Sequence, residues 1–100
     1  MAIQIANYNF EGPFSSSQEL QRKSGVYVIL GRSGKSSWSV VDVGESSSVR
    51  ERVENHDRQD CWNRQRHAQL NVCALYLNET QRLYVEGELR AKFNPPCGKR

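Results

Sequence analysis

Two β-branched and aromatic runs, residues 24–30 and 38–46, flank a seven-residue connection, 31–37, that contains Gly31 and Gly34. Valine, isoleucine and tyrosine suit a pleated, half-buried surface, and a short glycine-bearing link between two such runs predicts an antiparallel hairpin. An isolated hairpin is not stable in water. The rest of the chain must therefore add at least one strand and the helices that cover the sheet, and with 100 residues it can do so around only one core.

Residues 70–77 are apolar at most positions, as expected of a central strand buried on both faces. Ser48 and Glu51 have the spacing of a capping box and predict a helix from 49 to about 56. Residues 57–69 are polar and read as a loop and a short helix. Asn78 and Gln81 form a second capping pair, opening a helix over about 79–93 that Pro95 and Pro96 end. Near the N-terminus Ile3, Ile5, Tyr8 and Phe10 alternate weakly, enough for one additional edge strand. Residues 11–17 then break the pattern with turn formers, and 17–20 allow one helical turn.

The predicted class is a small α/β unit of the α+β kind, with a mainly antiparallel three-stranded sheet, an optional N-terminal edge strand and two to three flanking helices. Residues 1–24 are a lead-in packed on the domain, 25–98 are the domain itself, and 97–100 form a short tail. Val28, Leu30, Val41, Val43, Val72, Ala74, Val85, Leu89 and Phe93 are the predicted core.

With 37% hydrophobic and 25% charged residues, the composition is that of a globular domain, and no apolar run approaches the ~20 residues of a membrane span. The start has no basic region followed by an apolar one, so the expected location is cytoplasmic. Cys61, Cys73 and Cys97 are odd in number and lack a C-x-x-C pair, which predicts reduced cysteines. Net charge is +3, mild but compatible with a polyanionic partner.

Helical arithmetic marks two places. Val49, Arg52, Val53 and His56 share one stripe, although long cations are rarely buried without a partner. On the last helix Val85, Leu89 and Phe93 mark the packed face. Glu86 lies at its margin, while Glu88 projects to solvent.

Gly25, Val26 and Tyr27 on one strand, with Asp42, Val43 and Gly44 on its neighbour, resemble the two signature tripeptides of the GIY-YIG nuclease family. Ser46, Arg52, His56, Glu86 and Leu89 extend the resemblance over residues 25–98. Asp42 stands where the family has its second tyrosine, and Gly98 where an asparagine is usual. The resemblance implies a metal-dependent endonuclease that hydrolyses phosphodiester bonds of nucleic acid, with DNA as the substrate of first choice and RNA as a weaker one. It implies Tyr27, Arg52, His56 and Glu86 as catalytic residues, Glu86 also as the ligand of a Mg2+ or Mn2+ ion, and Ser46 as a substrate contact; Arg58, Arg64 and Arg66 are candidate phosphate contacts by their charge alone.

The residue chemistry is compatible with those roles. A guanidinium grips phosphate with two parallel hydrogen bonds. One carboxylate plus waters and substrate oxygens is an ordinary magnesium arrangement. Tyr27 could orient or deprotonate the attacking water, provided positive charge lowers its pKa. Each residue also has a plain structural alternative: a surface arginine, a salt-bridged helix glutamate, a packing tyrosine, a satisfied core histidine, a solvated basic face. Asp42 is open between a metal ligand and a strand-end residue in solvent. A non-catalytic binding module that keeps the fold is the competing function.

Overall fold

The computed structural model describes residues 1–98; Lys99 and Arg100 of the expected tail lie outside the described residues. Five strands, β1 (Ala2–Ile5), β2 (Tyr8–Phe14), β3 (Gly25–Arg32), β4 (Ser39–Ser46) and β5 (Gln69–Tyr76), form one sheet in the order β1-β2-β5-β3-β4. Every neighbouring pair is antiparallel. Three helices, α1 (Val49–Glu54), α2 (Gln59–Arg64) and α3 (Glu79–Phe93), cover it. None is long and apolar enough to cross a membrane.

The α+β class and the hairpin β3–β4 are as expected, but the sheet has five strands where three and an optional edge strand were predicted. The N-terminal segment supplies two of them, and residues 11–14 continue β2 instead of breaking it. The register with β5 shifts between Glu11 and Phe14, so Gly12 and Pro13 occupy an irregularity in the ladder. Such a site tolerates proline's missing donor.

Strand alternation divides the core in two. Tyr27 and Ile29 of β3 face α1 and α2 together with Val49, Val53 and Trp62. Val26, Val28 and Leu30 face the opposite way, onto Val85 and Leu89 of α3. A register shift between Ile29 and Leu30 inserts Val41 as an extra residue in β4, since Ile29 pairs with Asp42 and Leu30 with Val40. Val41 therefore joins the Tyr27 side while Val43 joins the α3 side. A bulge re-aims side chains in this way.

Eight of the nine predicted core residues are buried, and Phe93 is partly so. Leu89 has no exposure, and Leu89→Ala is expected to cost about 2–5 kcal/mol in urea unfolding. A loss below about 0.5 kcal/mol would mean that α3 does not pack through this residue.

α3 has the predicted bounds, and its Asn78 side chain accepts from the Gln81 amide at 2.9 Å. α1 is shorter than expected. It stops at Glu54 because Asn55 leaves helical geometry while its side-chain amide donates to the Glu51 carbonyl at 3.1 Å. Ser48 makes no capping bond; Ser46 Oγ organises that turn instead, accepting from the Ser48 amide and donating to the Ser48 carbonyl.

The cysteine expectation is corrected. Cys61 and Cys97 form a disulfide that ties α2 to the segment after α3, and Cys73 alone is free. Spacing could not show a pair brought together across 36 positions.

Candidate active site

A cleft of about 500 Å3 opens where the ends of β3 and β4 meet α1, α3 and the chain beyond α3, lined by Tyr27, Gly44, Glu45, Arg52, Asp57, Arg58, Glu86, Arg90 and Gly98. Tyr27, Arg52 and Glu86 come from three different elements and share this concave surface. His56 lies directly behind it. Arg58 also lines the cleft, whereas Ser46 does not, its hydroxyl being engaged with the Ser48 backbone. Arg64 and Arg66 are exposed away from it.

Pairing of Tyr27 with Gly44 across the ladder sets the geometry of the tyrosine. A Cβ at position 44 would stand 2.1 Å from Tyr27 Oη, so only glycine leaves the phenol its place. Tyr27 Oη and His56 Nε2 are 2.5 Å apart. The amide of Arg58 donates to His56 Nδ1 at 3.0 Å, which leaves the proton of a neutral imidazole on Nε2. Nε2–H then donates to Tyr27 Oη, and the phenol's own proton is free to point elsewhere. His56 is not on the helical stripe predicted for it; it sits in the turn after α1 with its ring buried against Trp62.

Burial, with Arg52 and Arg58 nearby, lowers the His56 pKa to about 4. Burial also pushes Tyr27 up to about 12, against the lowering pull of Arg58 and Arg52. Desolvation outweighs the two arginines, so Arg52 by itself does not supply the lowering that a general-base role for Tyr27 requires. At neutral pH the pair is a neutral phenol and a neutral imidazole.

The histidine shift has a stability consequence with a definite sign. Unfolded, His56 takes a proton near its ordinary 6.5, and folded only near 4, so the unfolded state binds more protons between those values. Its contribution is intact above pH 6.5 and is lost as pH falls toward 4. Between pH 7 and pH 4.5 the wild type is expected to lose about 2.5 kcal/mol more than a His56→Gln variant, read from urea midpoints. Equal losses would show that His56 is not held neutral by the fold.

The two candidate phosphate-binding arginines are held differently. Arg52 pairs with Asp57 at 2.9 Å, and Asp57 is 73% exposed. Exposed pairs contribute little, so Arg52 can exchange this partner for a phosphate. Arg58 is anchored to Asp42, which is wholly buried.

Asp42 is neither in solvent nor a cleft-facing ligand. Oδ2 accepts from Arg58 Nε at 2.7 Å and from Trp62 Nε1 at 2.8 Å. Oδ1 accepts from Arg90 Nη2 and from the Val43 amide, both at 2.8 Å, and from Arg58 Nη2 at 3.3 Å. A carboxylate with this many donors is saturated. Asp42 is the buried anchor that fixes two cleft arginines from behind.

Glu86 is buried at the cleft wall, with Arg90 Nε donating to its Oε2 at 2.9 Å. Arg90 also donates to the carbonyls of Val43 and Cys97, and so binds α3 to β4 and to the last described segment. Gly98, at φ 74°, closes that side, and a Cβ there would meet Arg90 Nη2 at 2.6 Å. Sequence reasoning missed Arg90 and Trp62. The spacing of Arg90 four residues after Glu86 on one helix was a readable signal; nothing local marked Trp62.

Among the described residues, no group of three or more His, Cys, Asp or Glu side chains is placed to hold a metal. A single-carboxylate site, completed by water and substrate oxygens, fits Glu86 at the wall of an open cleft. Comparison with protein-family models, with curated proteins and with solved structures found no match to this chain.

Proposed function

We propose that this chain is a GIY-YIG-type endonuclease that hydrolyses DNA phosphodiester bonds with a divalent cation. The observation that carries the proposal is the convergence of Tyr27, Arg52 and Glu86 on one open cleft. Arg52 donates to the non-bridging oxygens of the scissile phosphate and stabilises the charge that builds there. Tyr27 Oη accepts a hydrogen bond from the attacking water and positions it, while His56 Nε2–H donates to the same oxygen and fixes the phenol in place. Gly44 keeps the tyrosine's position open, and Arg58, fixed by Asp42, adds positive charge beside it. Glu86 would hold Mg2+ or Mn2+, which when bound would supply Lewis-acid charge to the phosphate and the leaving oxygen.

The second reading, a binding module without catalysis, is favoured by one feature. Glu86 is salt-bridged to Arg90, and Asp42 occupies the place of a signature tyrosine in the same charge network. Incubation with supercoiled, branched and single-stranded DNA, each with Mg2+, Mn2+ or a chelator, separates the two. The nuclease reading expects metal-dependent product on at least one substrate; binding to all without cutting any would establish the module.

A further inference from the structure

The cleft has no surplus charge with which to attract a polyanion, because its lining holds three arginines, Arg52, Arg58 and Arg90, and three carboxylates, Glu45, Asp57 and Glu86. The attraction has to come from elsewhere on the molecule. Six of the twelve described arginines and lysines pair with a carboxylate: Arg22, Arg50, Arg52, Arg58, Arg82 and Arg90. Of the other six, Lys23 precedes β3 and Lys92 lies on α3. The remaining four, Arg32, Lys35, Arg64 and Arg66, belong to two segments that the fold joins at the far end of β3.

Arg32 pairs with Gln69 in the ladder, and its Nε donates to the Gln69 side chain at 3.3 Å. Beyond that point the Ala68 amide donates to Ser33 Oγ, and the His67 ring lies against Gly31. Lys35 is thus two residues past one arm of this junction and Arg66 two before the other, with Arg64 ending α2 just behind. The Arg32 guanidinium stacks 4.0 Å above the Trp38 ring, which holds its long side chain in place. No Asp or Glu occurs in 22–41 or in 61–78, so neither segment carries an acid of its own.

We infer that Arg32, Lys35, Arg64 and Arg66 form a second nucleic-acid contact, a phosphate-backbone dock that holds duplex DNA while the cleft engages the scissile bond. The inference rests on the proposed function for the identity of the polyanion. Arg32 lies five positions along β3 from Tyr27, about 17 Å of strand; its guanidinium sits on the α3 side over Trp38, while Arg64 follows Trp62 on the other side. The cluster thus caps the far end of the sheet, where a stiff duplex spanning both ends presents phosphates. Contacts to phosphate set position and affinity without reading sequence. Arg64 and Arg66, which the cleft does not use, find their place here.

The test compares the wild type with R32Q/K35Q/R64Q/R66Q and with the charge-keeping R32K/R64K/R66K, first by circular dichroism and then by affinity for a 20-base-pair duplex over a range of salt. Losing four phosphate contacts should lower the magnitude of the slope of log K against log salt by about 3.6. The lysine variant should keep the wild-type slope. A quadruple variant that folds and retains the slope and affinity overturns the dock; if the wild type cuts DNA in that case, the nuclease reading stands. A lowered slope in a protein that cuts nothing supports the dock and removes the nuclease. No binding of the duplex by the wild type overturns the dock and leaves the nuclease reading to the cleavage test on branched and single-stranded DNA.

Discussion

Asp42→Ala is expected to destabilise the domain by about 3–5 kcal/mol, the cost of breaking a buried ion pair from one side. The substitution strips partners from Arg58, Arg90 and the Trp62 indole at once. Arg58 is then left partly buried without its carboxylate partner, Arg90 is left with the Glu86 carboxylate, and α2 and α3 lose a shared attachment to β4. Asp42→Asn keeps an acceptor oxygen but not the charge, so it should cost less while still loosening both arginines. Urea unfolding of the two variants beside the wild type decides this. A loss under about 1 kcal/mol for Asp42→Ala would mean that the carboxylate is not the anchor.

Much of this arrangement was legible in the sequence where local rules act alone. The β3–β4 runs, the apolar β5, the cap of α3 and the margin position of Glu86 all follow from propensity and periodicity, which do not depend on distant partners. Features decided by tertiary contacts were not. Gly12 and Pro13 read as a turn because nothing local announces that β5 lies alongside and tolerates an irregularity there. Asp42 read as ambiguous because the extra residue at Val41 and the donors Arg58, Trp62 and Arg90 are brought to it only in the folded chain. The disulfide of Cys61 and Cys97 was hidden for the same reason. The burial that opposes the cations beside Tyr27 was likewise hidden, because residue types show neighbouring charge but not depth.

The second large effect is expected at Glu86. Glutamine retains a side-chain oxygen for the Arg90 Nε donor and nearly the same volume, so Glu86→Gln should fold normally. It removes the negative charge that a hard divalent cation requires. Binding should hold or tighten, since one negative charge leaves a surface that meets phosphates. Cleavage should slow at least ~100-fold, the scale of losing an electrostatic catalytic group. Arg52→Ala should give the contrasting pattern, slower cleavage with weaker binding, because its guanidinium contacts the phosphate directly. The most direct measurement is single-turnover cleavage of one DNA substrate in Mg2+ by wild type and Glu86→Gln, with affinity for the same DNA determined in parallel. The account predicts intact binding with cleavage reduced ~100-fold or more; metal-dependent cleavage by Glu86→Gln at the wild-type rate would contradict it.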